Sequence, residues 1–142
     1  MIMVRVMASG VFDILHSGHI SYLEQARSFG DELYVVVACD DTVRRRKHEP
    51  ITNENMRVRL VNSLKPVDKA ILGTNGDMFT VIDEIRPDII VLGYDQTFDE
   101  KVLESDLKKR GFDIKVARAS KSGEDLEATR AIIRRIQERK DL

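Results

Sequence analysis

The sequence is short of several features that would have fixed its class at once. Its only cysteine is Cys39, so no internal disulfide can form, and no group of Cys and His has the spacing of a zinc site. The N-terminus lacks the long apolar segment and small-residue cleavage site of a signal peptide. No apolar run approaches the ~20 residues that a membrane span needs. Formal net charge is only -1, so no strong overall field draws the chain to nucleic acid or to an anionic membrane. There is no internal repeat and no low-complexity linker. These absences together describe a cytoplasmic protein working in a reducing setting, with no nucleic-acid or membrane partner.

What is present is an ordinary globular mixture, 42% hydrophobic and 33% charged over 142 residues. That length suits one domain, 1–142, able to bury a core without a metal or a cross-link. Four short runs rich in Val, Ile and Leu stand out: Ile2–Ala8, Leu33–Ala38, Val67–Leu72 and Ile89–Leu92. Asp113–Ala117 is a weaker fifth. Runs this short and this continuous suit parallel strands buried on both faces. Between them, apolar residues recur at helical spacing in Gly18–Phe29, Glu54–Leu64 (with Met56, Leu60, Val61 and Leu64 as the apolar face), Met78–Ile85, Asp99–Arg110 and Leu126–Arg139. Gly111 has the place of a helix C-cap residue. Strand–helix alternation implies an α/β fold: a Rossmann-like domain with a five-stranded parallel sheet flanked by helices. Ligands of such sheets bind where the strands end, so the chemistry is expected in the segments after them.

The first of those segments, Ser9 to His19, is the most informative. Gly10 lets backbone approach a ligand, Val11 and Phe12 offer backbone groups and an apolar wall, and His16 and His19 stand three apart where a helix begins, with Ser17 and Gly18 between. A helix N-terminus favours anions, and two imidazoles add donors at the same spot. A histidine pair at this spacing is also a common surface or capping feature. Zinc is disfavoured, because no third ligand lies near the pair in sequence. The segment after the fourth run repeats the theme. Gly93 again permits close backbone approach, and Asp95 is placed to accept from a base or a ribose hydroxyl. The run Arg44–Arg46 reads as a solvated basic turn. In the last helix, a solvated amphipathic surface and a homodimer contact both fit the stripe of Ile132, Ile133 and Ile136.

Gly10, Phe12, Asp13, His16, Gly18 and His19 match every fixed position of G-x-F-D-x-x-H-x-G-H, the signature of the cytidylyltransferase-like nucleotidyltransferases. The chain resembles that family. The resemblance implies that His16 and His19 contact the nucleotide phosphates and stabilise the transition state, and that Mg²⁺ accompanies the triphosphate. It also implies that Lys47 reaches the phosphates. Arg57, in an E-x-x-R pattern with Glu54, would touch phosphate or acceptor; an exposed arginine in a first helical turn is the competing reading. From about Val4 to about Gly111 the sequence is similar to the archaeal FAD synthetases, most visibly in Lys65–Gly73, Pro87–Gly93 and Asp95–Glu100. That implies ATP and FMN as substrates. A planar acceptor would want an aromatic platform, for which Phe98, Tyr94 and Phe79 are candidates.

The R-T-x-G-I-S-T-T motif of the glycerol-3-phosphate cytidylyltransferases is missing. Arg118 to Arg130 stands in its place, with Ser122 and Thr129 left as candidate phosphate contacts. Three functions therefore stay in view. The first is AMP transfer from ATP to FMN; the second is CDP-glycerol formation from CTP and glycerol 3-phosphate; the third is a nucleotide-binding module without catalysis. A dinucleotide-dependent dehydrogenase is disfavoured because the first turn lacks G-x-G-x-x-G.

Overall fold

The computed structural model describes residues 2–46, 48–123 and 128–141. Among them, five strands and six helices follow in the order β1 (Arg5–Gly10), α1 (Ser17–Ser28), β2 (Glu32–Val37), α2 (Asp40–Arg46), α3 (Glu54–Asn62), β3 (Lys69–Leu72), α4 (Met78–Ile85), β4 (Ile89–Leu92), α5 (Glu100–Lys109), β5 (Lys115–Arg118) and α6 (Thr129–Glu138). The strands form one sheet in the order β3-β2-β1-β4-β5, every pair parallel.

Alternation along the strands explains the continuous apolar runs. Val6, Ala8, Leu33, Val35, Val37 and Val91 point to one face, where Leu23 and Ala26 of α1 and Val61 of α3 close a core around Phe12. Met7, Ile90 and Leu92 point to the other, against Val81, Ile82 and Ile85 of α4 and Leu103 and Leu107 of α5. A sheet covered on both sides has no polar face to alternate with, so its strands read as runs.

Several expected boundaries move. The first strand begins at Arg5, and Ile2 and Met3 of the apolar run are exposed. The fifth is Lys115–Arg118 rather than Asp113–Ala117. Asp40–Arg46 is a helix, not a turn, with Val43 buried and Arg44 to Arg46 exposed. In α3 the inward residues are Arg57 and Val61, while Met56 and Leu60 face out, 48% and 39% exposed. The expected apolar face is thus rotated, because a buried guanidinium takes one of its positions. The last helix starts at Thr129; Leu126 lies outside the described residues. Gly111 does follow the C-cap of α5, at φ +90°.

Gly30, in the turn between α1 and β2, lies hard against Val4 and Val6. A Cβ there would stand 2.7 Å from the carbonyl oxygen of Val4 and 2.8 Å from a methyl of Val6. That carbonyl already accepts from the N–H groups of Asp31 and of Glu32, the first residue of β2. The Gly30→Ala variant is expected to lose about 1–3 kcal/mol from this overpacking. Urea unfolding checks it, and an unshifted midpoint would mean that the contact yields freely.

Candidate active site

The ladder between β1 and β4 is short. It runs only through Val6–Ile89 and Met7–Ile90, whereas β1 and β2 pair over their whole length. Beyond it, side chains replace backbone pairing. The Tyr22 hydroxyl donates to the carbonyl of Val91 at 2.6 Å and accepts from the N–H of Ser9 at 3.1 Å. Gln96 donates to the carbonyl of Ser9 at 3.0 Å and accepts from the N–H of Gly93 at 3.1 Å. Burial pushes the Tyr22 phenol well above its ordinary value, so it stays a neutral donor. These two wedges part the carboxyl ends of β1 and β4. The chain leaves those strands in opposite directions, toward β2 and toward β5, so the gap is the topological switch point where such sheets bind ligands.

The N-terminus of α1 stands at this gap. His16 is its N-cap in extended conformation, φ -146° and ψ 175°. Its Nδ1 accepts from the N–H of Gly18 at 3.1 Å, and Nδ1 of His19 accepts from the N–H of His16 at 3.3 Å. This is a capping box built from two histidines. Because both Nδ1 atoms accept, both rings are the tautomer with the proton on Nε2. The rings stack with centroids 3.8 Å apart, and Phe12 packs against His19 at 5.2 Å. Backbone twist aims the loop: Phe12 and Ile14 have φ of 57° and 58°, a conformation costly for side chains of this size. Gly10 serves that twist. The place of its Cβ is 3.0 Å from the Phe12 ring, so a side chain there would collide with Phe12.

Two buried charges hold the loops together. Asp13 is 4% exposed, and its carboxylate accepts from the N–H groups of Ile51 and Thr52 and from the Thr52 hydroxyl at 2.7–2.9 Å. Burial pushes its pKa up, but those bonds and the charge of Arg57 outweigh burial, and the net value lies below the ordinary carboxylate range. Arg57, expected at phosphate or acceptor or else exposed in the first helical turn, is 0% exposed. Its guanidinium donates to the carbonyls of Val11 (2.9 Å), Ala38 (2.7 Å) and Thr52 (3.0 Å) and to Asp40 (2.6 Å). Asp13 likewise spends its carboxylate on a neighbouring loop. Nothing local in the sequence signals either contact, since Asp13 and Thr52 are far apart along the chain.

The other candidates divide. Ser17 and Gly18 form the first turn of α1. Thr129 is brought in from the far end of the chain, its hydroxyl donating to the carbonyl of Asp13 at 2.7 Å. Ser122 lies half-buried in the segment leading to α6. Gly93 is buried and Asp95 exposed at the end of β4, on the far side of the gap from β1. Lys47 lies outside the described residues. Among the described residues no group of three His, Cys, Asp or Glu could hold a metal ion. No described helix is long and apolar enough to cross a membrane. Arg118, not anticipated, secures the β4–α5 loop with bonds to the carbonyls of Gly93 and Gln96 at 2.9 and 2.8 Å and an ion pair to Glu100 at 2.5 Å.

A five-stranded parallel sheet, opened at its switch point beside a histidine-capped helix, is a Rossmann-like nucleotide site of the nucleotidyltransferase type. The chain belongs to the cytidylyltransferase-like family, whose model matches residues 7–138. A protein named FAD synthase from Aciduliprofundum boonei is 59% identical over 98% of this chain and 94% of its own. Another of that name from Methanohalophilus mahii is 53% identical over 97% of each. The crystal structure of a protein described as a lipopolysaccharide core biosynthesis protein, from Thermoplasma volcanium, superposes with a TM-score of 0.82 at 55% identity, over 84% of this chain and 98% of that one. Pantothenate synthetase from Thermus thermophilus shares the fold alone, with a TM-score of 0.60 at 13% identity over 82% of this chain and 55% of that one.

Because the carboxylate of Asp13 has a depressed pKa, its stabilisation is full above the unfolded value and is lost as pH falls through the folded one. In Asp13→Asn, an amide N–H₂ would face a backbone N–H, costing about 1–3 kcal/mol at neutral pH. Stability curves of the two proteins should then begin to converge below about pH 4, where the unfolded carboxylate protonates, and meet only once pH has fallen past the lower folded value. Parallel curves down to the acid limit would remove Asp13 from this role.

Proposed function

We propose that the protein is an FAD synthase, transferring AMP from MgATP to the phosphate of FMN. The observation that carries the transfer chemistry is the pair of stacked histidines capping α1 at the parted ends of β1 and β4. Similarity over nearly the whole chain to proteins named FAD synthase is what supports ATP and FMN in particular.

In this reading a phosphate oxygen of FMN attacks the α-phosphorus of ATP. The new P–O bond forms as the bond to the α–β bridging oxygen breaks, and that electron pair leaves on pyrophosphate. Little else is asked of the protein than positioning and charge stabilisation. Nε2–H of His16 and of His19 would donate to phosphate oxygens as negative charge moves onto the bridge. Lys47 would add a cation to the phosphates. Val11, Phe12, Ser17 and Gly18 would line the triphosphate, with Gly93 and Asp95 toward the base and ribose and Thr129 and Ser122 at the phosphate edge. Asp13 and Arg57 act on the nucleotide indirectly, by fixing the loops. The described residues offer no cage for a resident metal, so Mg²⁺ is read as part of the substrate, held by the triphosphate and water. A cytoplasmic enzyme pairing as a homodimer through α6, where Ile136 is 52% exposed, completes the reading.

The test offers ATP or CTP with FMN or glycerol 3-phosphate and resolves the products. FAD from ATP and FMN alone supports the reading; CDP-glycerol, or bound nucleotide with no product, overturns it. The histidines can be tested without losing the helix cap. Asn is among the best N-cap residues and Gln serves at the third helical position, so His16→Asn and His19→Gln should cost under about 1 kcal/mol of stability. Each should lower kcat by about 10²–10³, because the amide N–H₂ does not sit where Nε2–H of the imidazole did. Turnover surviving both substitutions would sink the mechanism.

A further inference from the structure

We propose that Tyr94 and Phe98 are the platform on which the planar ring system of the acceptor stacks. This inference rests on the function proposed above. The sequence leaves three aromatic candidates, and the geometry separates them. Phe79 is half-buried against the core between α4 and α5, and the guanidinium of Arg110 sits 3.8 Å from its ring centroid. A ring with a cation at contact distance has that face taken. Tyr94 and Phe98 are 41% and 39% exposed, and both belong to the loop between β4 and α5, at the edge of the sheet where ligands bind.

That loop is tied down on both sides of both rings. Arg118 donates to the carbonyls of Gly93, Tyr94, Gln96 and Phe98, and its charge is met by Glu100. The side chain of Gln96 anchors the loop to Ser9 of β1, across the parted strands. Asp99 caps α5 immediately after Phe98, accepting from the N–H groups of Lys101 and Val102 at 3.0 Å. An apolar ring on a loose loop would fold down onto the nearest apolar surface. Here the backbone holds both rings half out of water with no ligand present. Little ordering entropy is then left to lose when a flat ligand settles on them.

The ligand class follows from the shape and charge of this surface. Two aromatic rings on one rigid loop offer apolar, polarisable area to a flat ring system, not directional hydrogen bonds to a sugar or a small alcohol phosphate. Nζ of Lys121 lies over the Tyr94 ring at 6.0 Å from its centroid, a looser approach than the 3.8 Å of Arg110 over Phe79. An isoalloxazine is such a flat ring system. Glycerol 3-phosphate has no ring to stack.

The experiment compares wild type with Tyr94→Ala, Phe98→Ala, the double variant, and the conservative Tyr94→Phe and Phe98→Trp. Two readings are taken: quenching of FMN fluorescence on titration with protein alone, and KM for FMN and for ATP in FAD formation. Stacking of a base on one aromatic is worth about 1–3 kcal/mol, so each alanine should raise Kd and KM for FMN by about 5- to 150-fold. KM for ATP should stay put, and the conservative variants should bind FMN as wild type does. Wild type that makes FAD, with FMN binding unchanged in the double variant, overturns the platform and leaves the proposed function standing. Wild type that neither quenches FMN nor makes FAD overturns both. Should an alanine variant lose its circular dichroism, Phe98→Leu keeps the apolar bulk, removes the aromatic face, and is expected to show the same selective loss.

Discussion

The guanidinium of Arg57 is the interaction on which the rest of the site depends. Burying a cation fully is costly by several kcal/mol unless geometry and charge are both satisfied. Here Asp40 meets the charge and three backbone carbonyls take further donors. Those carbonyls belong to Val11, Ala38 and Thr52, just past the ends of β1 and β2 and just before α3. They are groups that lose their ladder partners when a strand ends, and left buried and unpaired each would cost free energy. Arg57 gathers acceptors from three loops at one point. Asp13 does the complementary thing, gathering the N–H groups of Ile51 and Thr52. An anion collects donors and a cation collects acceptors, so irregular loops can come together in a dry place without a ladder between them.

The same device recurs on the other side of the gap. Arg118 gathers the carbonyls of the β4–α5 loop and is neutralised by Glu100. The carboxylate of Glu100 lies below its ordinary range, first because of the bond from Arg118, with partial burial opposing. Between these charge-organised loops, Tyr22 and Gln96 keep β1 and β4 apart at their ends. The opening is thus a designed interruption of the sheet. Polar side chains spend their hydrogen bonds there where a third or fourth pair of residues could have closed it.

How much of this the sequence discloses depends on whether the determinant is local. Strands buried on both faces announce themselves as apolar runs, so Ile89–Leu92 is recovered to the residue and the others within a few positions. The ten-residue run from Gly10 to His19 carries its own signature, because the loop and helix cap are built from neighbours in sequence. Residues that act at long range stay hidden. Arg57 occupies an inward position on α3 that apolar patterning assigns to its neighbours, so the pattern points to Met56 and Leu60, which face water. A charged residue at a core position looks like a surface residue until its partners are visible. Helix α2 is missed for a related reason: in Asp40–Arg46 only Val43 is buried, and a single apolar residue has no period. Arg118 leaves no trace either, since all its partners but Glu100 are backbone carbonyls, and any sequence has those.

The histidine pair resolves a conflict inside the site. A helix N-terminus needs acceptors for its first N–H groups, and the usual solution places Ser or Thr at the cap with Glu three residues on. Glutamate there would set a full negative charge at the end of the helix that favours anions. Helices α2, α3 and α5 carry acidic residues in their first turns, and α1, like α4 and α6, carries none. Histidine at both positions closes the same box with neutral Nδ1 acceptors, so the cap is satisfied and the positive end of the helix dipole is not cancelled. Accepting at Nδ1 also obliges the proton to sit at Nε2, the edge that turns donors outward from the helix. One pair of side chains thus stabilises the helix, preserves its attraction for anions and fixes the tautomer that can donate to them. Ser or Thr with Glu could supply only the first of these, which is the physical reason for two histidines at this spacing around Ser17 and Gly18.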